Sequence, residues 1–296
     1  MFKIFNNLNV PIDSQLYIKP DYLNHPFISG NKYRKLKYNL LEAKQLNKLV
    51  LLTFGGAYSN HIAAVAAAGH EFGFQTIGVI RGEELENKIE ENPTLIFARK
   101  HGMQFHFISR SAYREKATET FIEDLKSKFG DFYLIPEGGT NVLAVRGCEE
   151  ILTETDISFD YVCCPVGTGG TISGLINSSF PHQKILGFPA LKGDFLQEEI
   201  SKFANNSNWE LITDYHFGGY AKINAALISF INEFKERYNI PLDPIYTGKM
   251  MFGVFDLMRQ NYFPENSKIL AIHTGGLQGI KGMNAKLIRK KLPIIN

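Results

Sequence analysis

The sequence predicts an α/β protein with two open, twisted, mainly parallel-sheet domains, and three observations carry that prediction. Short apolar runs of the buried-strand kind alternate with segments whose apolar residues recur at helical spacing. Two of the runs end in glycine-rich turns that open the next helical segment, at Phe54-Gly-Gly-Ala-Tyr-Ser-Asn-His61 and Pro165-Val-Gly-Thr-Gly-Gly-Thr171. The rhythm breaks once, at Pro136-Glu-Gly-Gly-Thr-Asn141, which separates a first series from a second. A chain of 296 residues suits two cores better than one.

The first residues, 1 to 31, are broken by Pro11, Pro20 and Pro26, and only Gln15 to Lys19 reads as a strand. Ser29-Gly-Asn-Lys-Tyr-Arg-Lys-Leu-Lys37 follows, with Lys32 where an irregular segment becomes a helix running from about Tyr33 to Leu46. Leu36, Leu40, Leu41 and Ala43 give that helix a face to bury. An amine rooted at such a junction and desolvated loses its preference for charge and becomes a nucleophile toward an aldehyde. The plain alternative is a solvated lysine at a helix start.

Leu49 to Thr53 is a strand of buried parallel type, and the turn after it opens an Ala-rich helix over Ile62 to Ala68. Backbone amides at such a helix start form an anion site. Strands at Gln75 to Ile80, Gln104 to Ile108 and Phe132 to Ile135 alternate with helices at Pro93 to His101 and Thr118 to Lys128. This spacing indicates βαβ units. A helix from about Val142 to Thr153 leads into the second series.

That series opens with a strand at Asp160 to Cys164, the turn Gly167-Thr-Gly-Gly-Thr171 and a helix near Ile172. Strand, glycine-rich turn and helix together bind phosphate through main-chain N–H groups and the positive helix end, without a lysine. The turn has neither the Gly-Lys-Ser/Thr ending of a nucleotide loop nor the G-x-G-x-x-G spacing of dinucleotide folds, so a phosphate monoester fits it better. A tight turn with glycine for packing alone is the competing reading. Lys184 to Phe188 is a strand, Phe195 to Phe203 and Ala221 to Tyr238 are helices, and Phe217-Gly-Gly-Tyr-Ala221 lies between them. Leu242-Asp-Pro-Ile-Tyr-Thr-Gly-Lys249 opens a helix to about Arg259, and a strand at Lys268 to Ile272 ends in His273-Thr-Gly-Gly276. Ligand crevices of open α/β sheets lie at the carboxyl ends of strands, so Ser59, Asn60, Gly167 to Thr171 and Thr274 are expected to share one cleft.

Composition excludes several classes. The 32 basic and 30 acidic residues leave a net charge of +2, too little to neutralise a phosphate backbone, so nucleic acid is not an expected partner. No apolar run reaches a membrane span and neither terminus carries a signal segment, so no membrane partner is expected. Cys148, Cys163 and Cys164 cannot pair completely, a usage typical of a reducing compartment, and the expected location is cytoplasmic. The eight histidines form no metal signature and no G-x-S-x-G elbow is present, so neither a metal nor a hydrolase serine is expected. His61 and His273 fit packed histidines as well as catalytic ones.

Five motifs now stand in order: G-N-K-Y-R-K-L at 30 to 36, G-G-A-Y-S-N-H at 55 to 61, V-G-T-G-G-T at 166 to 171, D-P-I-Y-T-G-K at 243 to 249 and H-T-G-G at 273 to 276. Over about residues 14 to 280 the chain resembles the 1-aminocyclopropane-1-carboxylate (ACC) deaminase / D-cysteine desulfhydrase family. These are pyridoxal-phosphate enzymes of the tryptophan-synthase-β-like fold type II. The resemblance implies that Lys32 holds pyridoxal 5'-phosphate as a Schiff base. It implies that Gly167, Thr168, Gly169, Gly170 and Thr171 cradle the phosphate, that Asn60 bonds the 3-oxygen and that Thr274 faces the pyridine nitrogen. A hydroxyl cannot hold that nitrogen protonated as a carboxylate would, which favours elimination over transamination. Ser59, Asn60 and His61 would take the substrate carboxylate, with Tyr220 as a further substrate contact. Ser59 also matches a proton-moving residue and Tyr246 an active-site phenol, so the catalytic set is Lys32, Ser59 and Tyr246. Residues 1–36 and 141–296 would form the larger cofactor-binding domain, and 37–140 a smaller one closing over the active site. A homodimer is implied.

The chain departs from the pattern where substrate is chosen. Cyclopropane-opening members carry a tyrosine two residues before the last-strand histidine, and Ala271 stands there; Lys19 is followed by Pro20-Asp21-Tyr22 rather than Arg-Asp. Ring opening has no α-proton to remove, whereas elimination from a β-substituted alanine needs only an α-proton acceptor, for which Lys32, Ser59 and Tyr246 are available. The expected activity is therefore α,β-elimination on a small, D-configured amino acid, giving a keto acid and ammonia in the manner of D-cysteine desulfhydrase. Its alternatives are ACC deaminase and, from another class, a non-catalytic protein that binds a phosphorylated metabolite.

Overall fold

The computed structural model describes residues 8–296, and the expected domain segment 1–36 therefore begins in residues that lie outside the described ones. Contacts divide the chain into two units, Met1–Lys35 with Thr140–Asn296, and Leu36–Gly139. In chain order the elements are β1 (Val10–Pro11), β2 (Leu16–Lys19), α1 (Asn31–Gln45), β3 (Val50–Gly56), α2 (Asn60–Phe72), β4 (Gln75–Arg81), α3 (Pro93–Lys100) and β5 (Met103–Ile108). Then come α4 (Glu119–Phe129), β6 (Tyr133–Ile135), α5 (Val142–Glu149), β7 (Tyr161–Val166), α6 (Gly170–Ser178), β8 (Lys184–Pro189) and α7 (Phe195–Ser201). The chain closes with β9 (Trp209–Leu211), α8 (Ala225–Tyr238), α9 (Thr247–Arg259), β10 (Ile269–Ile272) and α10 (Gly279–Arg289).

The first unit contains a six-stranded sheet in the order β1-β2-β10-β7-β8-β9. Every pair is parallel except β1 with β2. Both faces are covered, which is why β7, β8 and β10 read as continuous apolar runs rather than alternating ones. Successive side chains point to opposite faces. Ile18, Cys163, Leu186, Ile269 and Ala271 pack with Leu227, Ile231 and Phe234 of α8 and Met250, Met251 and Val254 of α9. Val162, Cys164, Ile185, Leu270 and Ile272 pack on the other face with Ile172, Leu175 and Ile176 of α6 and Leu196 and Ile200 of α7. The three cysteines are buried free thiols.

The second unit holds a four-stranded sheet in the order β5-β4-β3-β6, parallel throughout. Leu52, Phe54, Ile77 and Val79 pack with Tyr113 and Leu125. The α/β class with two mainly parallel sheets is thus the observed one.

Differences from the expected elements have local causes. The helix expected from Ala221 starts at Ala225, because Ala221 has a positive φ of 54° and Asn224 caps the helix by accepting from Leu227 N at 2.9 Å. β3 runs beyond Thr53 through Gly55 and Gly56, held by pairing with Ile80 and Arg81 of β4. The helix after Asn141 stops at Glu149. β9 and α10 were not foreseen: β9 is three residues with Glu210 at its centre, and α10 carries Gly279 and Gly282 among three basic residues, Lys281, Lys286 and Arg289. Among the described residues no helix is long and apolar enough to cross a membrane.

Candidate active site

Lys32 lies inside the first turn of α1, not ahead of it, because Asn31 already begins the helix. Its approach is set by Gly30, whose φ is +61° and where a Cβ would stand 2.0 Å from Thr274 O. Only glycine permits that backbone contact, and it lets Asn31 N donate to Thr274 O at 3.1 Å. Arg34 is spent on a buried ion pair with Asp21 at 2.8 Å. Lys32 and Lys35, three residues apart, share one side of the helix. Lys32 is half-buried, and burial of its amine followed by repulsion from the Lys35 ammonium lowers its pKa to about 7. At neutral pH a large share of this amine is unprotonated, unlike an ordinary lysine.

Lys35 itself is almost wholly buried, 2% exposed, and burial lowers its pKa. Its Nζ donates to Thr140 Oγ1 at 3.0 Å and reaches Thr168 Oγ1 at 3.5 Å, while the two threonine hydroxyls lie 2.6 Å apart. This brings an ammonium to the glycine-rich loop between β7 and α6. A Cβ on Gly170 would sit 2.9 Å from the Thr140 side chain and 3.2 Å from Lys35 Nζ, and one on Gly167 would sit 3.1 Å from the Tyr246 ring. The loop is closed by Asn31 Nδ2, which donates to Thr171 Oγ1 at 2.9 Å. The first N–H groups of α6 have no partner within the helix. Amides at a helix start, two threonine hydroxyls and a buried ammonium make an anion site.

This arrangement fits pyridoxal phosphate: a cradle too tight for side chains suits a phosphate monoester, and a neutral amine one helical turn from Lys35 suits an aldehyde. Sequence alone assigns the phosphate to amides without a lysine; the structure adds the Lys35 amine beside the loop, 3.5 Å from Thr168 Oγ1. The i, i+3 spacing of Lys32 and Lys35 was the available signal.

The same unit holds three more of the expected residues. Tyr246 precedes α9, with its amide donating to Asp243 Oδ2 at 3.0 Å and its ring against Gly167. The Tyr220 ring is 6.3 Å from the Tyr246 ring at 64°, and Tyr220 is exposed. Thr274 is buried two residues after the end of β10. His273, also buried, lies 2.7 Å from Pro241 O through Nε2 and accepts from Gly275 N at 3.3 Å through Nδ1, and burial lowers its pKa. It is a packed neutral histidine with its proton on Nε2.

Ser59, Asn60 and His61 belong to the second unit, at the start of α2. Ser59 Oγ accepts from His61 N at 3.2 Å and from Ile62 N at 3.3 Å, so it caps the helix. His61 Nε2 is 2.8 Å from Thr53 Oγ1, whose hydroxyl donates to Ile135 O at 2.8 Å. The hydroxyl proton being used there, Nε2–H of His61 donates to Thr53. Its imidazole is 2% exposed and committed to the strand beneath it. No group of three or more His, Cys, Asp or Glu among the described residues could hold a metal ion.

Comparison with known proteins points the same way. The family model described as "Pyridoxal-phosphate dependent enzyme" matches residues 5–275. A Pyrococcus horikoshii protein provisionally named 1-aminocyclopropane-1-carboxylate deaminase is 33% identical over 305 residues, spanning 95% of this chain and 90% of that protein. The bifunctional D-cysteine desulfhydrase/1-aminocyclopropane-1-carboxylate deaminase of Arabidopsis thaliana mitochondria is 30% identical, spanning 93% of this chain and 76% of its own. The crystal structure of an ACC deaminase homologue superposes with a TM-score of 0.81 at 30% identity, over 93% of this chain and 88% of that one.

Proposed function

We propose, for a chain that belongs to the pyridoxal-phosphate-dependent enzymes and among them to the ACC deaminase / D-cysteine desulfhydrase family, that its reaction is α,β-elimination from a small D-amino acid. The observation that carries this reading is the Lys32 amine, lowered to about pKa 7 beside the Lys35-bearing anion cradle. A base of that strength removes and returns protons at neutral pH.

Bound pyridoxal phosphate supplies the electron sink at the substrate's Cα, which is what makes the α-proton acidic enough for a lysine to take. The protein's residues do the rest. Lys35, Thr168, Thr171 and the amides of the α6 start would hold the phosphate. Lys32 would anchor the aldehyde and is the amine placed to take and return the α-proton. Tyr246, whose ring is fixed against Gly167, offers a phenol to the leaving group. Thr274 supplies a neutral hydroxyl where a carboxylate would change the chemistry. The start of α2, with the Ser59 hydroxyl and Asn60, has the donors that a substrate carboxylate requires.

Elimination is preferred to ring opening because of Ala271. This residue is fully buried within β10, in the core formed with α8 and α9, and it has no group to offer a ring carbon. Elimination from D-cysteine breaks Cα–H and Cβ–S and, after hydrolysis, yields pyruvate, sulfide and ammonia. Pyruvate from D-cysteine, β-chloro-D-alanine and D-serine should be assayed beside 2-oxobutanoate from ACC. Pyruvate formation is expected; strong 2-oxobutanoate formation without pyruvate would reverse the assignment.

A further inference from the structure

Lys249, at the end of the D-P-I-Y-T-G-K motif, is another buried lysine and has no part in the chemistry above. It is 1% exposed in the first turn of α9. Its Nζ donates to His216 O at 2.9 Å, Gly219 O at 2.9 Å and Ala190 O at 3.5 Å, so its three N–H bonds all meet main-chain carbonyls. Buried charges are ordinarily paired with an opposite charge. The nearest motif carboxylate, Asp243, accepts instead from the amides of Ile245, Tyr246 and Thr247 and from the Thr247 hydroxyl, and acts on Lys249 only through space. Neutral carbonyl oxygens converging on one positive charge are the ligand set of a monovalent cation site.

Two of the three carbonyls belong to the turn that carries Tyr220. In that turn Phe217 and Ala221 each hold φ at 54°, and Gly218 and Gly219 hold 89° and 113°. Non-glycine residues keep such a conformation only where the surroundings over-determine it. The ammonium is such a constraint, since it fastens both ends of the His216–Gly219 turn to α9 and to the residue after β8.

We propose that Lys249 is a tethered monovalent cation: its ammonium fills a site of three main-chain carbonyl oxygens and thereby positions the Phe217–Ala221 turn with Tyr220. Lys249 is in this sense a positioning residue. That Tyr220 meets substrate rests on the function proposed above; the cation site does not.

The turn offers its own reporter, because chymotrypsin cuts after Phe217 and Tyr220. In the full-length holoenzyme, cleavage there should be slow and indifferent to replacing choline chloride by potassium or ammonium chloride at constant ionic strength. Lys249→Ala in choline should be cut about tenfold faster or more, since it loses charge-assisted bonds to carbonyls that stay buried. Potassium or ammonium should return the rate close to that of the wild type by refilling the site. Cleavage of Lys249→Ala in choline at the wild-type rate, or faster cleavage that neither ion slows, overturns the proposal. Lys249→Gln keeps two N–H donors without the charge and serves if the alanine variant does not fold. It should show the same ion response, and wild-type protection of it in choline would mean that charge is not needed. Failure of both variants to fold in potassium or ammonium chloride also overturns the proposal, because a refilled site restores the fold. The readout needs no turnover, so it stands or falls apart from the amino-acid assay.

Discussion

Asn31 Nδ2 donates to Thr171 Oγ1 across 2.9 Å, tying the residue next to Lys32 to the last residue of the glycine-rich loop. The amine and the anion cradle are therefore positioned by one contact as well as by one helix. Replacing Thr171 by valine removes a hydroxyl from the cradle and leaves the Asn31 amide without that acceptor. Cofactor affinity should fall roughly tenfold, the equivalent of about 1–2 kcal/mol for a lost buried hydrogen bond. Fluorescence titration of the apoprotein with pyridoxal phosphate measures it, and unchanged affinity with the fold intact would remove Thr171 from the cradle.

Lys32→Ala should leave the cradle whole while removing the covalent anchor. The expected result is loss of the visible absorption of lysine-bound cofactor, loss of turnover, and pyridoxal phosphate that dialyses away. A variant that keeps the visible band would place the anchor on another lysine.

The reactive form of Lys32 is the unprotonated amine, so cofactor uptake by the apoprotein should accelerate as pH rises through about 7, well below the ordinary lysine value. Lys35 contributes repulsion to that lowering, after burial. Lys35→Met should therefore move the midpoint of uptake to higher pH and, by removing a charge-assisted contact, weaken cofactor binding by about ten- to a hundredfold. Stopped-flow absorbance across a pH series reads both effects. An unmoved midpoint in Lys35→Met would show that burial alone sets the Lys32 amine.

Ala271→Tyr tests how the core takes a phenol at the position on which the substrate preference rests. Its side chain has no exposure and packs in the core shared by β10, α8 and α9, so a phenol there overfills the core by far more than a methylene. A stability loss of about 3 kcal/mol or more is expected, seen as a lower thermal midpoint. A variant as stable as the parent would mean that this part of the core yields to the ring.

Much of this was legible in the sequence because it is local. The apolar run of β7 and the turn at Gly167–Thr171 announce a strand, an anion site and a helix within a dozen residues, and chemistry that depends on motif order survives without coordinates. Lys32 stood out by the same logic, its neighbours Gly30 and Asn31 marking a forced junction. What the tertiary structure decided is what distant segments do to one another. β9 is a strand only because β8 supplies a parallel partner for Trp209 to Leu211. Ala221 leaves the helix pattern because its turn is held from outside. Lys35 became part of the cradle when Thr140 and Thr168, more than a hundred residues away, were brought to its amine. Ala190, His216 and Gly219 carry nothing in their side chains to predict a cation site, since the ligands are carbonyls that every residue has. Only folding brings those dipoles to one point, and only there does Lys249 acquire a role.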